Sequence, residues 1–396
     1  MAMRFVRNQG VFVIRAFSPG SRLAASRLHA PVPEWFSMLR RFALLFLAGI
    51  ALATSALAAD ERIDPWQPRF GRTRPLIAVL GQNAGTELID FFVPYGVLVE
   101  SGAADVMTVA TEPGPMRMRP VLRMQPDATV AAFDERFPEG ADYVVVPAVD
   151  ESHQSDPALL AWLRAQAAKG ATVVSICDGA IVAANAGLFD GHRATGHWAT
   201  QAQREREHPA THWERNTRWV ADGKVVSSAG VTAAIPTSFA LVEAIAGRDI
   251  AQATAARLGV HTWDTGHDSE QFRIDAGTIF TYATNRWLLP NERVEVAIVD
   301  GVDDIALALT VDAWARTLRS PIAVAFGTDA PLRTRHALTL LPPEAPAGEA
   351  RRLPALDGVL AMQALDLALA GIRNDLGDAT ARFVALQLEY PKGYAR

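Results

Sequence analysis

Val173-Val174-Ser175-Ile176-Cys177-Asp178-Gly179-Ala180, followed by the small and apolar run Ile181 to Ala186, is the stretch whose reading decides the fold. A continuous apolar run that enters a small-residue turn and then a helical segment predicts a buried strand, a sharp turn and a helix. This is the order of a nucleophile elbow, with cysteine where that motif has serine and Ser175 where it has glycine. Gly179 lets the turn be tight. A thiol at a helix start stands at the positive end of the macrodipole, which favours the thiolate and predicts a pKa below the free value of about 8.5. The position equally suits a small buried hydrophobe at a strand end, and periodicity does not separate the two.

Working outward, Leu76 to Leu80 is a short continuous apolar run ended by Gly81 and Asn83, and Glu87 to Glu100 has apolar residues at helical spacing. Strand-like runs recur at Val106 to Ala110, Tyr143 to Val146, Thr172 to Ile176 and Lys224 to Ser227. Helical stretches such as Pro157 to Lys169 and Thr237 to Ala246 separate them. Strands alternating with helices predict an α/β sandwich of flavodoxin-like type, a mostly parallel sheet covered on both faces. In such sheets the ligand sits at the carboxyl ends of the strands.

Several blocks then coincide: the elbow, Ala186-Gly187-Leu188-Phe189-Asp190-Gly191, Ala194-Thr195-Gly196-His197-Trp198, Asp222-Gly223-Lys224, Ser227 to Ala233, and Glu87-Leu88-Ile89-Asp90 with Pro94. Together, over residues 75–260, they resemble the ThiJ/PfpI superfamily, the class I glutamine amidotransferase-like fold. The branch most resembled holds isonitrile hydratases and the N-terminal domains of AraC-type regulators. The resemblance implies that Cys177 is the reactive centre, that Asp90 lies beside its sulfur, and that His197 stands near it. Gly179 and Gly230 are then expected to line the substrate. A carboxyl beside a thiolate either is protonated and donates a hydrogen bond or repels it, so Asp90 would tune the nucleophile and move a proton. Asp90 could instead cap its helix, and His197 could serve the fold. Peptidase-like members carry histidine directly after the cysteine; Asp178 stands there, which excludes a protease. Isonitrile hydratases carry threonine there. Asp178 is expected to cap the following helix, with a second proton donor or a like charge near the thiol as the alternatives.

After residue 290 the pattern restarts. Arg293 to Gly301 mirrors the first strand, Val302 to Arg316 the first helix, and Asp375 to Ala381 parallels Asp249 to Ala255. This predicts a truncated, degenerate second copy over 292–391, joined by a linker at 261–291. It has no cysteine, and Ala306 falls where Asp90 sits in the first copy. Domains of the resembled family commonly pair, so a monomer with an internal pseudo-dimer, or a homodimer, is expected.

Ahead of the first strand, Met38-Leu39-Arg40-Arg41, the apolar stretch Phe42 to Ala53 and Ala56-x-Ala58 read as a secretory signal peptide. Residues 1–37 would be an extension before a true start at Met38, with cleavage after Ala58. The apolar run falls short of the roughly 20 residues that span a bilayer, so no stable anchor is expected after cleavage, and the protein is expected to be periplasmic or secreted. Removing residues 1–58 takes away seven Arg and one Glu and leaves a net charge of −11.

The chain has 396 residues, 49% of them hydrophobic, and one cysteine, which excludes a disordered chain and an internal disulfide. With 38 Lys+Arg against 43 Asp+Glu, no basic excess exists for phosphate backbones, so nucleic acid is not an expected partner. No metal or cofactor is expected either. His208 and His212 are disturbed by Pro209, while His261, Asp264, His267 and Asp268 are spaced for a loop and suit hydrogen bonding between domains. A glycine-rich phosphate loop is missing from the sequence. The expected function is a cysteine-dependent hydratase (a lyase) or hydrolase acting on a small electrophile, of isonitrile hydratase type. The alternative is a non-catalytic ligand-binding or redox-sensing module.

Overall fold

Strands that read as unbroken apolar runs occupy the middle of a sheet with both faces covered. In the computed structural model, which describes residues 61–344 and 349–391, seven strands form that sheet. They are β1 (Leu76–Gly81), β2 (Asp105–Ala110), β3 (Ala128–Thr129), β4 (Tyr143–Val146), β5 (Thr172–Ser175), β6 (Trp219–Asp222) and β7 (Val225–Ser228), in the order β6-β7-β5-β4-β1-β2-β3. All neighbours are parallel except β6 and β7, so the sheet is mixed. The expected signal sequence and the extension expected before it lie outside the described residues.

Alternation along β1 sets the two layers: Ile77 and Val79 face one core, Leu76, Ala78 and Leu80 the other. Helices α1 (Leu88–Ser101) and, later in the chain, Ala234–Ala246 cover the first face; α2 (Pro157–Ala168) and α3 (Gly179–Asn185) cover the second. The Ala234–Ala246 helix, α4, begins three residues before Thr237, where its apolar periodicity starts, because the turn Val231–Ala233 feeds straight into it. Register brings the ends of β4, β5 and β7 together, with Val146 opposite Ser175 and Ser175 opposite Ser227. The elbow therefore opens at the carboxyl edge of the sheet.

Helix α5 (Arg248–Leu258) follows α4 after Gly247, whose φ of 85° and ψ of 166° suit glycine alone. The segment 261–291 holds α6 (Ala276–Ala283), and there Ile279, Phe280, Trp287 and Leu288 are exposed. Then come β8 (Val294–Ile298), α7 (Asp304–Ala315), β9 (Ile322–Phe326) and β10 (Arg351–Arg352), the strands parallel in the order β9-β8-β10. The last two helices, α8 (Ala364–Leu376) and α9 (Asp378–Gln387), break at Gly377 with φ 89° and ψ 161°. Helix α7 packs along α1. Thr339–Leu340 adds an antiparallel strand to Leu122–Gln125, so one five-stranded sheet takes strands from both ends of the chain.

Candidate active site

Cys177 sits at the turn between β5 and α3 with φ 57°, a left-handed conformation that costs a non-glycine residue about 1–3 kcal/mol. The turn is over-determined. Ile176 N–H donates to the Val146 carbonyl at 2.9 Å, Gly179 N–H to the Ile176 carbonyl at 2.8 Å, and Cys177 N–H to Ser228 Oγ at 3.2 Å. A Cβ on Gly179 would drive into the Val146 carbonyl oxygen, far inside van der Waals contact. Gly179 thus serves the close approach of the helix start to β4, and its N–H is spent on the turn.

The acids beside the thiol come from the start of α1. Glu87, not Asp90, caps that helix: its Oε2 accepts the Asp90 N–H at 2.6 Å. Asp90 points inward, fully buried, with Oδ2 accepting the Ala148 N–H at 3.2 Å and Oδ1 without a hydrogen-bond partner. Burial pushes its carboxyl well above the usual range, and Glu87 adds to the shift. The cation facing these acids is Arg316, just past α7, whose Nη2 lies 3.0 Å from Glu87 Oε1 and whose Nε lies 2.7 Å from Asp312 Oδ2. Burial and Asp312 together still push Glu87 up to about 7.

Burial, then Asp90, Asp178 and Glu87, push the Cys177 thiol well above its ordinary value, against one hydrogen bond to sulfur from the Asp178 N–H. The expectation of a depressed thiol pKa is therefore corrected. The dipole of a two-turn helix is outweighed by desolvation and three carboxyls. Burial and the neighbouring acids thus favour the protonated forms of both Cys177 and Asp90.

The raised Glu87 has a thermodynamic signature. The native state keeps a proton that the unfolded chain gives up near pH 4.5, so this group lowers stability as pH rises from about 4.5 to about 7 and restores it on acidification. Urea denaturation of wild type and Glu87→Gln, which keeps an acceptor for the cap, is expected to show a steeper fall of stability over that range in wild type, Asp90 giving both proteins a shared remainder. Parallel pH profiles would contradict it.

Asp178 does not cap α3. At φ −78° and ψ 3° its backbone is already near-helical, whereas a capping side chain needs an extended residue. Its Oδ1 accepts instead from Thr200 Oγ at 2.6 Å and lies 3.7 Å from the Arg204 guanidinium. Arg204 is fully buried, donates to the His197 carbonyl at 2.6 Å, and stacks on Trp213. His197 has both ring nitrogens engaged: Nε2 with the Gln387 carbonyl at 3.2 Å and Nδ1 with the Ala199 N–H at 3.3 Å. Gly230 lies two residues past Ser228, and its N–H donates to Glu389 Oε2 at 2.5 Å. His267 meets the same carboxylate at 2.7 Å, a hydrogen bond joining the 261–291 segment to the chain beyond α9.

Asp90, Asp178 and Cys177 are thus brought together, while His197 faces the last residue of α9 and Gly230 faces Glu389 beyond it. Sequence reasoning missed Glu87, Arg204, Arg316 and Glu389. The one signal at hand was Glu87 at an N-cap position. Among the described residues no group of three or more His, Cys, Asp or Glu is arranged to hold a metal.

Comparison with known proteins follows the same outline. The chain is 30% identical over 172 residues to the isonitrile hydratase of Pseudomonas putida, spanning 43% of this chain and 72% of that protein. It is 30% identical over 188 residues to the HTH-type transcriptional regulator CdhR of Pseudomonas aeruginosa, spanning 48% and 49%. Solved structures similar to it include a ThiJ/PfpI family protein from Pseudomonas syringae, with TM-score 0.42, 23% identity and coverage of 48% of this chain and 80% of that one. Drosophila melanogaster DJ-1beta gives TM-score 0.43, 21% identity, and coverage of 48% and 100%. Residues 76–244, which include Asp90, the elbow and Gly230, match the DJ-1/PfpI family. The chain belongs to the DJ-1/PfpI family.

Proposed function

We propose that this protein is an exported, cysteine-dependent enzyme that adds water to, or hydrolyses, a small electrophile in the manner of an isonitrile hydratase. The observation that carries the reading is Cys177 held at φ 57° beside a fully buried Asp90, whose burial favours the protonated carboxyl. Strain of this kind persists where the surrounding structure holds it in place and clusters at reactive centres. With an isonitrile, sulfur bonds to the terminal carbon, Asp90 delivers its proton to that carbon, and the thiol proton returns to Asp90, giving a thioimidate. Water then adds to the same carbon. One of its protons goes to nitrogen, the carbon–sulfur bond breaks, and the other proton restores the thiol, releasing an N-substituted formamide. Splitting the addition of water through sulfur replaces one hard step by two easier ones.

The assay is turnover of a panel of isonitriles, glyoxals and amides. Wild type is expected to convert at least one of them, and Asp90→Asn to lower its kcat about 10²-fold, the size of a lost proton donor. No conversion of any panel member would overturn the enzyme reading. The second reading, a ligand-binding or redox-sensing module, draws support from the raised thiol and from Glu389 occupying Gly230.

The proposal extends to the C-terminal region as a truncated second copy that covers the surface a partner subunit would otherwise occupy. Three parallels support it. Strand, helix and strand recur in β8-α7-β9 as in β1-α1-β2. Asp303 caps α7 as Glu87 caps α1, placing Ala306 opposite Asp90. Gly247 and Gly377 break both helix pairs with nearly the same backbone angles. Export rests on the signal-like residues 38–58; among the described residues no helix is long and apolar enough to cross a membrane.

A further inference from the structure

Glu389 is held as a ligand would be. Its Oε2 receives the Gly230 N–H at 2.5 Å and the Trp198 N–H at 3.4 Å, and its Oε1 lies 2.7 Å from His267 Nε2. The His267 and Glu389 side chains are each 2% exposed. Two backbone N–H groups converging with an imidazole on one point make an anion-binding concavity. Gly230 is needed for it, since any Cβ there would strike the Glu389 carboxylate and the His197 ring. The buried Arg204 beneath adds positive potential, and its Nε, facing Gly196, has no hydrogen-bond partner. A cavity of about 140 Å³ bordered by Thr195, Gly196, Trp198, Gln201 and Arg215 reaches Glu389 from outside.

Closing the turn does not require this carboxylate. The backbone already secures it: the Thr232 N–H donates to the Leu388 carbonyl at 3.1 Å and Thr232 Oγ to the Glu389 carbonyl at 2.9 Å. Glu389 itself adopts φ 53°, which disfavours a long side chain. A buried carboxylate on a strained residue, held by two backbone N–H groups and an imidazole, is the pattern of an internal substitute for an external anion.

We propose that the cradle of Gly230, Trp198 and His267 is a carboxylate-binding site, and that Glu389 is its displaceable resident. Ser228, two residues before Gly230, accepts the Cys177 N–H, so the cradle and the elbow are tied to the same short segment, Ser228 to Gly230. The inference concerns binding alone and holds whether or not Cys177 turns a substrate over. A tethered occupant acts at an effective concentration in the millimolar range or above, so a free acid competes weakly in wild type and strongly once the tether loses its carboxylate.

The experiment titrates sodium acetate, with acetamide as the neutral control and ionic strength held constant with chloride. It uses the full chain carrying ¹⁵N-glycine and follows the Gly230 amide resonance. Glu389→Gly suits the left-handed backbone and removes the carboxylate; Glu389→Asn tolerates the same backbone and is shorter. Both are expected to bind acetate at least tenfold more tightly than wild type, with the Gly230 amide shifting, and neither to respond to acetamide. Cys177→Ser combined with Glu389→Gly is expected to bind acetate equally well, which separates this inference from the enzyme reading. Equal acetate affinity in wild type and variants, an unmoved Gly230 amide, or failure of both variants to fold would overturn it, the last by making Glu389 a structural closure.

Discussion

Cys177→Ser is expected to lower kcat/KM for any electrophile the wild type converts by at least 10³-fold, about 4 kcal/mol of transition-state stabilisation. A serine hydroxyl needs a base to attack, and the nearby groups are committed elsewhere, Asp178 to Thr200 and Arg204. Both His197 nitrogens are engaged, and burial and Glu87 favour the protonated form of Asp90 over the carboxylate. Sulfur can manage without a dedicated base because its proton leaves far more easily as the bond to carbon forms. The folded state should barely notice the change. Oxygen is smaller than sulfur, and the Cys177 backbone bond to Ser228 is untouched, so stability is expected to move by less than about 1 kcal/mol. Steady-state kinetics beside a urea denaturation curve separates the two effects. A serine variant within tenfold of wild type would remove sulfur from the chemistry.

Gly179→Ala is expected to destabilise the protein by more than about 3 kcal/mol, or to prevent folding, although it adds one methyl group. The added Cβ meets the Val146 carbonyl, which cannot withdraw because it accepts the Ile176 N–H at 2.9 Å and thereby ties β4 to the elbow. Relief requires separating the β5–α3 turn from the neighbouring strand. Gly327→Ala is the control. Gly327 is exposed, has no atom within 4 Å of a Cβ and no positive φ, so its replacement should change stability by about 0.5 kcal/mol or less. Similar losses at both positions would show that the elbow tolerates the methyl group.

The order of strands and helices was legible because β1, β4 and β5 are buried on both faces and so appear as continuous apolar runs between turn residues. Cys177 and Asp90 were legible because the turn and the first helix each lie within one short segment. What escaped was non-local. Arg316 and Glu389 are 139 and 212 positions beyond Cys177, in segments without a motif, and their roles exist only once the chain closes on itself. The thiol pKa was misread for the same reason. A helix start is visible in eight residues, whereas desolvation and the approach of Glu87 depend on everything packed around them. Asp178 shows a finer limit: the capping preference depends on a backbone angle that residue type alone does not reveal.

The pairing of Thr339–Leu340 with Leu122–Gln125 also gives the molecule a schedule. During synthesis the edge formed by Leu122–Gln125, the acids at the start of α1 and the donors of Gly230 all emerge before the residues that complete them. At about 5–20 residues per second, the roughly 200 residues from the elbow to Glu389 take on the order of 10–40 s. Throughout that interval the nascent chain displays an open strand edge and carboxyls without Arg316, features that invite association with other chains. The C-terminal region therefore closes that edge and pairs those acids last, after every residue it completes has been made.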